Sequence, residues 1–295
     1  MNVSGVYTAM VTPFKNNKVD FEGFRKNVEF QIKNGVDGIV PIGTTGEAPT
    51  LSHEEKEQLI KTAVKTAKGK VNVMIGTGSY STSQTIENTK MAKELGADMA
   101  LIVTPYYNKP TQEGLYRHFK AITEEVDFPV FVYNIKGRTG QNIETPTLRR
   151  IVDLPNIIGV KEASGDINQM CDVINTICSD HETFSVMSGD DGLTVPLMVL
   201  GGKGVISVVS NIVPAKVVEM VKYGLENDFV NARRIHYELL PIFKGAFIET
   251  NPIPIKEAMN MLGMPAGECR LPLCEMGPEN REKLKEILKQ MNLIK

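Results

Sequence analysis

The sequence is poor in cysteine and histidine, and the few that it has are not arranged for disulfide or metal chemistry. It contains four of each in 295 residues. So few cysteines do not make a disulfide framework in a chain of this length, and we expect reduced thiols. Cys269 and Cys274 lack the paired spacing of a zinc site, and the scattered histidines form neither a triad nor a metal cluster. We therefore expect no bound metal.

The sequence also lacks an excess of charge and a long apolar run. The formal net charge is −2, which gives no attraction for nucleic acid or an anionic membrane. The most apolar stretch, residues 195–209, is interrupted by Gly-Gly-Lys-Gly and is too short to span a bilayer. Residues 1–7 show no signal-peptide pattern. We expect a cytoplasmic protein that binds neither nucleic acid nor a membrane.

Short apolar runs rich in β-branched residues alternate with amphipathic segments of helical spacing. Eight runs recur at intervals that suit strand–helix–strand units. They lie at residues 6–11, 38–42, 71–75, 99–103, 130–133, 157–160, 184–187 and 205–209. They are apolar on both faces, and no dinucleotide-binding glycine pattern follows the first, so they favour a closed (β/α)8 TIM barrel over an open sheet. Helical segments continue after the eighth run. We therefore predict a barrel at residues 1–225 and a small C-terminal helical domain at 226–295.

Lys161 is the strongest candidate for a catalytic side chain. Active sites of such barrels lie at the C-terminal ends of the strands. Lys161 directly follows the sixth run and should share the face of Ile157 and Gly159. If that face points into the barrel, apolar walls favour the neutral, nucleophilic amine, and Gly159 leaves room for the side chain. The alternative is an ammonium that reaches solvent at the strand end.

Other strand ends carry hydroxyl groups and a cation. The segment GTTGE at residues 43–47 could present backbone amides to a carboxylate, or could simply be a tight turn. Tyr133 could carry protons, although a lone tyrosine there is more often a hydrogen-bonded packing residue. Arg138 could bind a second carboxylate. Asp190 and Asp191 are better interpreted as helix caps than as metal ligands.

Eight short segments together resemble the dihydrodipicolinate synthase family, in the N-acetylneuraminate lyase superfamily of class I aldolases. The similarity spans nearly the whole chain. The segments are GTTGE (43–47), VTPYYN (103–108), YN with RTG (133–134 and 138–140), GVKEA (159–163), SGDD (188–191), GVIS (204–207) and NPIPIK (251–256).

The resemblance implies an enzyme that condenses pyruvate with aspartate semialdehyde through an imine on a lysine, the first step of the diaminopimelate route to lysine. It also implies a homotetramer of two tight dimers that needs no metal or organic cofactor. The implied catalytic residues are Lys161 as nucleophile and Tyr133, Thr44 and Tyr107 as a proton relay, with Tyr107 entering the neighbouring subunit's site. The implied substrate-binding residues are Thr45 for the pyruvate carboxylate, Arg138 for that of the semialdehyde, and Gly189 and Ile206 for the pyruvate site.

Two departures from the family pattern have consequences. The segment between Asn134 and Arg138 usually contains a proline, and its replacement by Ile-Lys-Gly should loosen the loop that holds Arg138. Lysine-inhibited members typically have a histidine, an asparagine and a glutamate where this chain has Lys56, Tyr80 and Gln84, which predicts weak or absent inhibition by lysine.

Two other functions compete with this interpretation. A sialic acid lyase or a 2-keto-3-deoxy sugar acid aldolase would share Lys161 and Tyr133 but would not need Arg138. A catalytically silent barrel would share only the fold.

Overall fold

Eight parallel strands form a closed barrel in the computed structural model, which describes residues 3–295. Met1 and Asn2, where the segment without a signal-peptide pattern begins, lie outside the described residues. The (β/α)8 prediction is confirmed, and every predicted run overlaps its strand. The barrel strands are Gly5–Ala9, Gly38–Val40, Asn72–Gly76, Met99–Val103, Val130–Asn134, Ile157–Glu162, Ser185–Ser188 and Gly204–Ser207, and the first pairs with both the second and the eighth.

Both faces of the strands are buried, which explains why the sequence runs are apolar throughout. One face fills the barrel interior with large side chains such as Tyr7, Met74 and Phe131. The other face, including Val130 and Val132, packs beneath the surrounding helices. The site therefore rests on a packed interior rather than on an open pore.

A register shift in the sixth strand corrects one prediction. Val130 pairs with Ile157, but the next residue, Phe131, pairs with Gly159. The extra residue breaks the alternation of side chains, so Ile157 packs in the outer cluster under the helices. Simple alternation predicts that Lys161 and Ile157 share a face. That prediction is wrong, because the two side chains lie on opposite faces of the strand.

Helices surround the barrel, and they begin where capping residues allow. A capping box begins the second of them: the Ser52 hydroxyl accepts from the Glu55 amide, and the Glu55 carboxylate accepts from the Ser52 amide. The helix after the sixth strand is α-helical over Ile167–Val173 and continues as a π-helical turn at Ile174–Cys178. The main barrel helices are Phe21–Lys33, His53–Ala67, Thr82–Glu94, Gln112–Glu125, Thr145–Val152, Ile167–Val173, Thr194–Val199 and Pro214–Leu225.

Three further helices follow the barrel: Phe229–Gly245, Ile253–Met261 and Pro278–Gln290. The first packs along Pro214–Leu225, and the buried Leu284 and Leu288 anchor the last. The segment between the first two contributes side chains to the C-terminal mouth of the barrel. No helix within residues 3–295 has the length and apolar character needed to cross a membrane.

Candidate active site

Lys161 ends the sixth strand beside Tyr133 of the fifth, its partner in the strand register. Its Nζ atom lies 4.1 Å from the centroid of the Tyr133 ring, and the residue is 5% exposed. Among the described residues Lys161 has no ion-pair partner, whereas the equally buried Lys256 pairs with Glu47 at 2.7 Å. The predicted inward position of Lys161 is confirmed. A buried amine that no carboxylate holds, in the wall of a cavity, is placed to act as a nucleophile.

Two cavities with common walls occupy the mouth of the barrel. The inner cavity has a volume of about 50 Å³ and is lined by Lys161, Gly189 and Thr45 among others. The outer cavity has a volume of about 330 Å³. Thr44 and Arg138 line both. Because one water needs only about 10–15 Å³ of such space, the inner cavity can hold a molecule of a few heavy atoms, and the outer one a larger molecule.

The turn at residues 43–47 places at the inner cavity two backbone amides that have no acceptor among the described residues. The amides of Gly46 and Ala48 both donate to the Gly43 carbonyl, at 3.1 and 3.3 Å, which bends the chain tightly. Within residues 3–295 the amides of Thr44 and Thr45 have no acceptor, and both residues line the inner cavity. Two adjacent free N–H groups suit a carboxylate, and carboxylate binding at this turn stays a prediction.

The C-terminal segment at residues 251–256 fixes the loops that carry the site. The Asn251 Nδ2 atom donates to Thr45 Oγ1 at 3.0 Å, and Arg138 Nη2 donates to the Asn251 carbonyl at 2.9 Å. Farther along, the ammonium of Lys256 pairs with Glu47 at the end of the GTTGE turn. The second and fifth strand loops are therefore held in one arrangement by a segment from outside the barrel.

Arg138 lies on a single helical turn, Lys136–Thr139. The turn is closed by the Thr139 amide, which donates to the Ile135 carbonyl at 3.1 Å, and it ends at Gly140 with a φ of 74°. Glycine suits that left-handed conformation. The predicted looseness concerns the motion of this loop and stays a prediction.

Two glycines beside Lys161 have different roles. A Cβ atom at Gly189 would lie 2.6 Å from the Ala163 Cβ and 3.0 Å from the Lys161 Cε, so Gly189 lets the strands approach the lysine closely. A Cβ atom at Gly159 would instead overlap the Phe131 ring. The expectation that Gly159 makes room for Lys161 is therefore wrong, because the space serves the phenyl ring.

Two predicted site residues lie outside both cavities. Tyr107 is 92% exposed, with a φ of 72°. Ile206 is fully buried in the barrel interior, and Val208 lines the inner cavity instead. The structure thus brings together the remaining six predicted residues, which are Lys161, Tyr133, Thr44, Thr45, Arg138 and Gly189.

Both aspartates after the seventh strand accept hydrogen bonds from nearby backbone amides, and Asp190 caps the short helix Asp191–Leu193, as predicted. Asp190 Oδ1 accepts from the Gly192 amide at 2.8 Å. Asp191 accepts from the Ser207 hydroxyl and from the Val208 amide at 2.9 Å. Burial raises the pKa of Asp191 to about 6, and these hydrogen bonds oppose the shift. The aspartates therefore shape the turn beside Gly189.

Asn251 and Phe247 also line the inner cavity, and neither is among the site residues predicted from the sequence. Asn251 begins the segment NPIPIK, which contributes to the family resemblance. That segment was the available signal, but it does not reveal that Asn251 contacts two barrel loops more than a hundred residues away in sequence.

Comparisons with known proteins agree with this geometry. Residues 2–291 match the model of the dihydrodipicolinate synthetase family. A 4-hydroxy-tetrahydrodipicolinate synthase from Protochlamydia amoebophila is 53% identical, over 99% of this chain and 97% of the relative. The crystal structure of dihydrodipicolinate synthase from Aquifex aeolicus has a TM-score of 0.96 at 49% identity and 99% coverage of both chains. A structure of a monomeric dihydrodipicolinate synthase variant has a TM-score of 0.97 at 43% identity, covering 99% of this chain and 97% of its own. This chain therefore belongs to the dihydrodipicolinate synthetase family.

Proposed function

We propose that this chain condenses pyruvate with L-aspartate 4-semialdehyde to give 4-hydroxy-tetrahydrodipicolinate, through an imine on Lys161. The observation that carries the assignment is the buried Lys161 amine, which has no ion-pair partner among the described residues and lies against Tyr133 in the wall of a small cavity. The reaction opens the diaminopimelate route to lysine.

The first half of the reaction loads pyruvate onto the lysine. The Lys161 nitrogen attacks the ketone carbon, and loss of water gives the imine. The pyruvate carboxylate binds the free amides of Thr44 and Thr45 and the Thr45 hydroxyl, which line the same cavity. Because Gly189 has no side chain, it leaves space for the Lys161 side chain beside the substrate. Apolar walls such as Val40 and Leu101 limit competing hydrolysis by water.

The second half forms the carbon–carbon bond. The imine acidifies the pyruvate methyl group, and loss of one proton gives an enamine that attacks the aldehyde carbon. The aldehyde oxygen then takes up a proton. Tyr133, in contact with Lys161, carries these protons together with Thr44, and such general acid–base catalysis contributes about 10²–10⁴-fold. Finally the amino group of the second substrate attacks the imine carbon, closes the ring and releases Lys161.

Arg138 selects an acidic aldehyde over a neutral sugar. It lines both cavities, and one of its N–H groups is used on the Asn251 carbonyl. The remaining N–H groups can bind the carboxylate of aspartate semialdehyde. A sugar-acid aldolase has no comparable need for a cation at this position, so Arg138 favours the synthase over that alternative.

Tyr107 joins the relay only from a neighbouring subunit on this proposal. It is 92% exposed and lies outside the cavities of its own chain. The working assembly is a cytoplasmic homotetramer of two dimers, in which residues 1–225 form the catalytic barrel and 226–295 the C-terminal helical domain. Sedimentation of the purified chain tests the assembly, and a fully active monomer would contradict it.

Product analysis tests the reaction itself. The purified chain, given pyruvate and aspartate semialdehyde, should form a compound with the composition of both substrates minus one water, detectable by mass spectrometry. Glyceraldehyde in place of the semialdehyde should give little product. Preference for glyceraldehyde would favour the sugar-acid aldolase, and no product from either aldehyde would favour a silent barrel.

A further inference from the structure

Asn251 has an unused hydrogen-bond acceptor in the wall shared by the two cavities. The residue is 4% exposed and lines both cavities. Its side-chain Nδ2 atom donates to Thr45, and its backbone carbonyl accepts from Arg138. No described residue donates to its side-chain Oδ1 atom. Buried polar atoms are nearly always paired, so an unpaired one at a ligand site indicates a group that the ligand supplies.

The contact with Thr45 determines which end of the amide is free. An NH₂ group can only donate, so Thr45 Oγ1 accepts this bond and keeps its own proton for the pyruvate carboxylate. The opposite orientation would spend the Thr45 proton on Asn251. The orientation that serves pyruvate therefore leaves Oδ1 free, and Oδ1 requires a donor.

The second substrate contains such a donor, and pyruvate does not. In aspartate semialdehyde the amino group and the carboxylate are attached to the same carbon atom. A carboxylate bound by Arg138 would therefore bring the amino group close to Asn251, whose carbonyl holds that arginine. An ammonium group has three N–H donors and no acceptor, which matches the free Oδ1.

We propose that Asn251 is a specificity-determining residue whose Oδ1 atom binds the amino group of aspartate semialdehyde. The inference rests on the proposed function and adds a recognition element to it. The inner cavity has no carboxylate in its wall. Glu47 lines the outer cavity, but its two oxygens are used by Lys256 and by the Arg270 amide.

A neutral acceptor suits the chemistry of ring closure. The amino group must lose its proton before it attacks the imine carbon. A carboxylate would stabilise the charged ammonium and oppose that loss, whereas an amide oxygen orients the nitrogen without adding a charge. Asn251 thus positions the amine for the last step as well as binding it.

Selectivity between two semialdehydes tests the proposal. Succinic semialdehyde is aspartate semialdehyde without the amino group. The measured quantity is its inhibition constant divided by the KM of aspartate semialdehyde, with pyruvate saturating. Asn251→Ala should lower this ratio about tenfold, which corresponds to 1.4 kcal/mol. A merely structural change would weaken both compounds alike and leave the ratio unchanged.

Two further variants separate the two ends of the amide. Asn251→Asp is isosteric and keeps an acceptor, so it should not lower the ratio, although it loses the donor to Thr45 and its added charge should lower kcat by opposing deprotonation of the amine. Thr45→Val should raise the KM of pyruvate and leave the ratio unchanged. An unchanged ratio in Asn251→Ala, or a ratio lost in Asn251→Asp, would overturn the proposal. If Asn251→Ala does not fold, Asn251→Leu takes its place, because leucine is close to asparagine in size, has no acceptor and should lower the ratio in the same way. Failure of the proposed function differs, because the unmodified chain would then form no product.

Discussion

Replacing Gly189 by alanine tests how accurately the Lys161 amine must be placed. The added methyl group would lie 2.6 Å from the Ala163 Cβ and 3.0 Å from the Lys161 Cε. The first separation is far below van der Waals contact, so the strand or the lysine chain must shift. Overpacking of this kind costs about 1–3 kcal/mol of stability. A displacement of about 1 Å at a reacting group can reduce the rate by about 10².

The Gly189→Ala variant should therefore remain folded and lose about 10–100-fold in kcat. Steady-state kinetics and the fraction of chain trapped as the pyruvate imine measure the effect, and thermal unfolding monitors the fold. Gly137→Ala is a matched control, because a methyl group there meets no atom within 4 Å. Its kcat should stay within about twofold of the unmodified value. The steric reasoning is refuted if Gly189→Ala behaves like this control.

Three further outcomes are expected. Arg138→Ala should still form the pyruvate imine but should raise the KM of aspartate semialdehyde at least about tenfold, since a charge-assisted hydrogen bond contributes about 1.5–3 kcal/mol; loss of the imine would show that Arg138 acts earlier. Lys256→Met leaves the buried Glu47 carboxylate without its partner and should lower the free energy of unfolding by about 3–5 kcal/mol in urea titrations, and an unchanged value would contradict this. Free lysine at about 1 mM should inhibit by less than half, because Gln84 is neutral and Lys56 repels an ammonium. Half-inhibition at that concentration would correspond to a binding free energy near about −4 kcal/mol, and stronger inhibition in steady-state assays would contradict the prediction.

The barrel could be predicted because burial on both faces leaves a direct mark on the strand sequences. Details that depend on how the strands pair could not be predicted from the sequence. The register shift before Phe131 looks like an ordinary continuation of an apolar run, so alternation assigns Ile157 to the wrong face. The hairpin of Phe14–Lys15 and Lys18–Val19 has strands of two residues, which are too short to show a period.

The same distinction applies to the site: side chains at strand ends could be predicted, and a side chain placed by tertiary packing could not. Lys161 and Tyr133 lie at the ends of barrel strands and Arg138 lies in the loop after one, and strand ends meet at one edge of a barrel. Asn251 lies between two helices beyond the barrel, and its place at the mouth depends on how those helices pack. Tertiary packing of this kind leaves no local pattern. Tyr107 is a third case, because its predicted role needs a second subunit.

Reductive trapping tests the central claim most directly. The chain is incubated with pyruvate and borohydride, digested, and mapped by mass spectrometry. Lys161 and Lys256 are both buried, but only Lys256 is paired with a carboxylate, at 2.7 Å. We predict that the reduced pyruvate adduct forms on Lys161 and not on Lys256, and that Lys161→Ala folds, forms no adduct and loses nearly all turnover. An adduct on another lysine, or normal turnover in Lys161→Ala, would contradict the account.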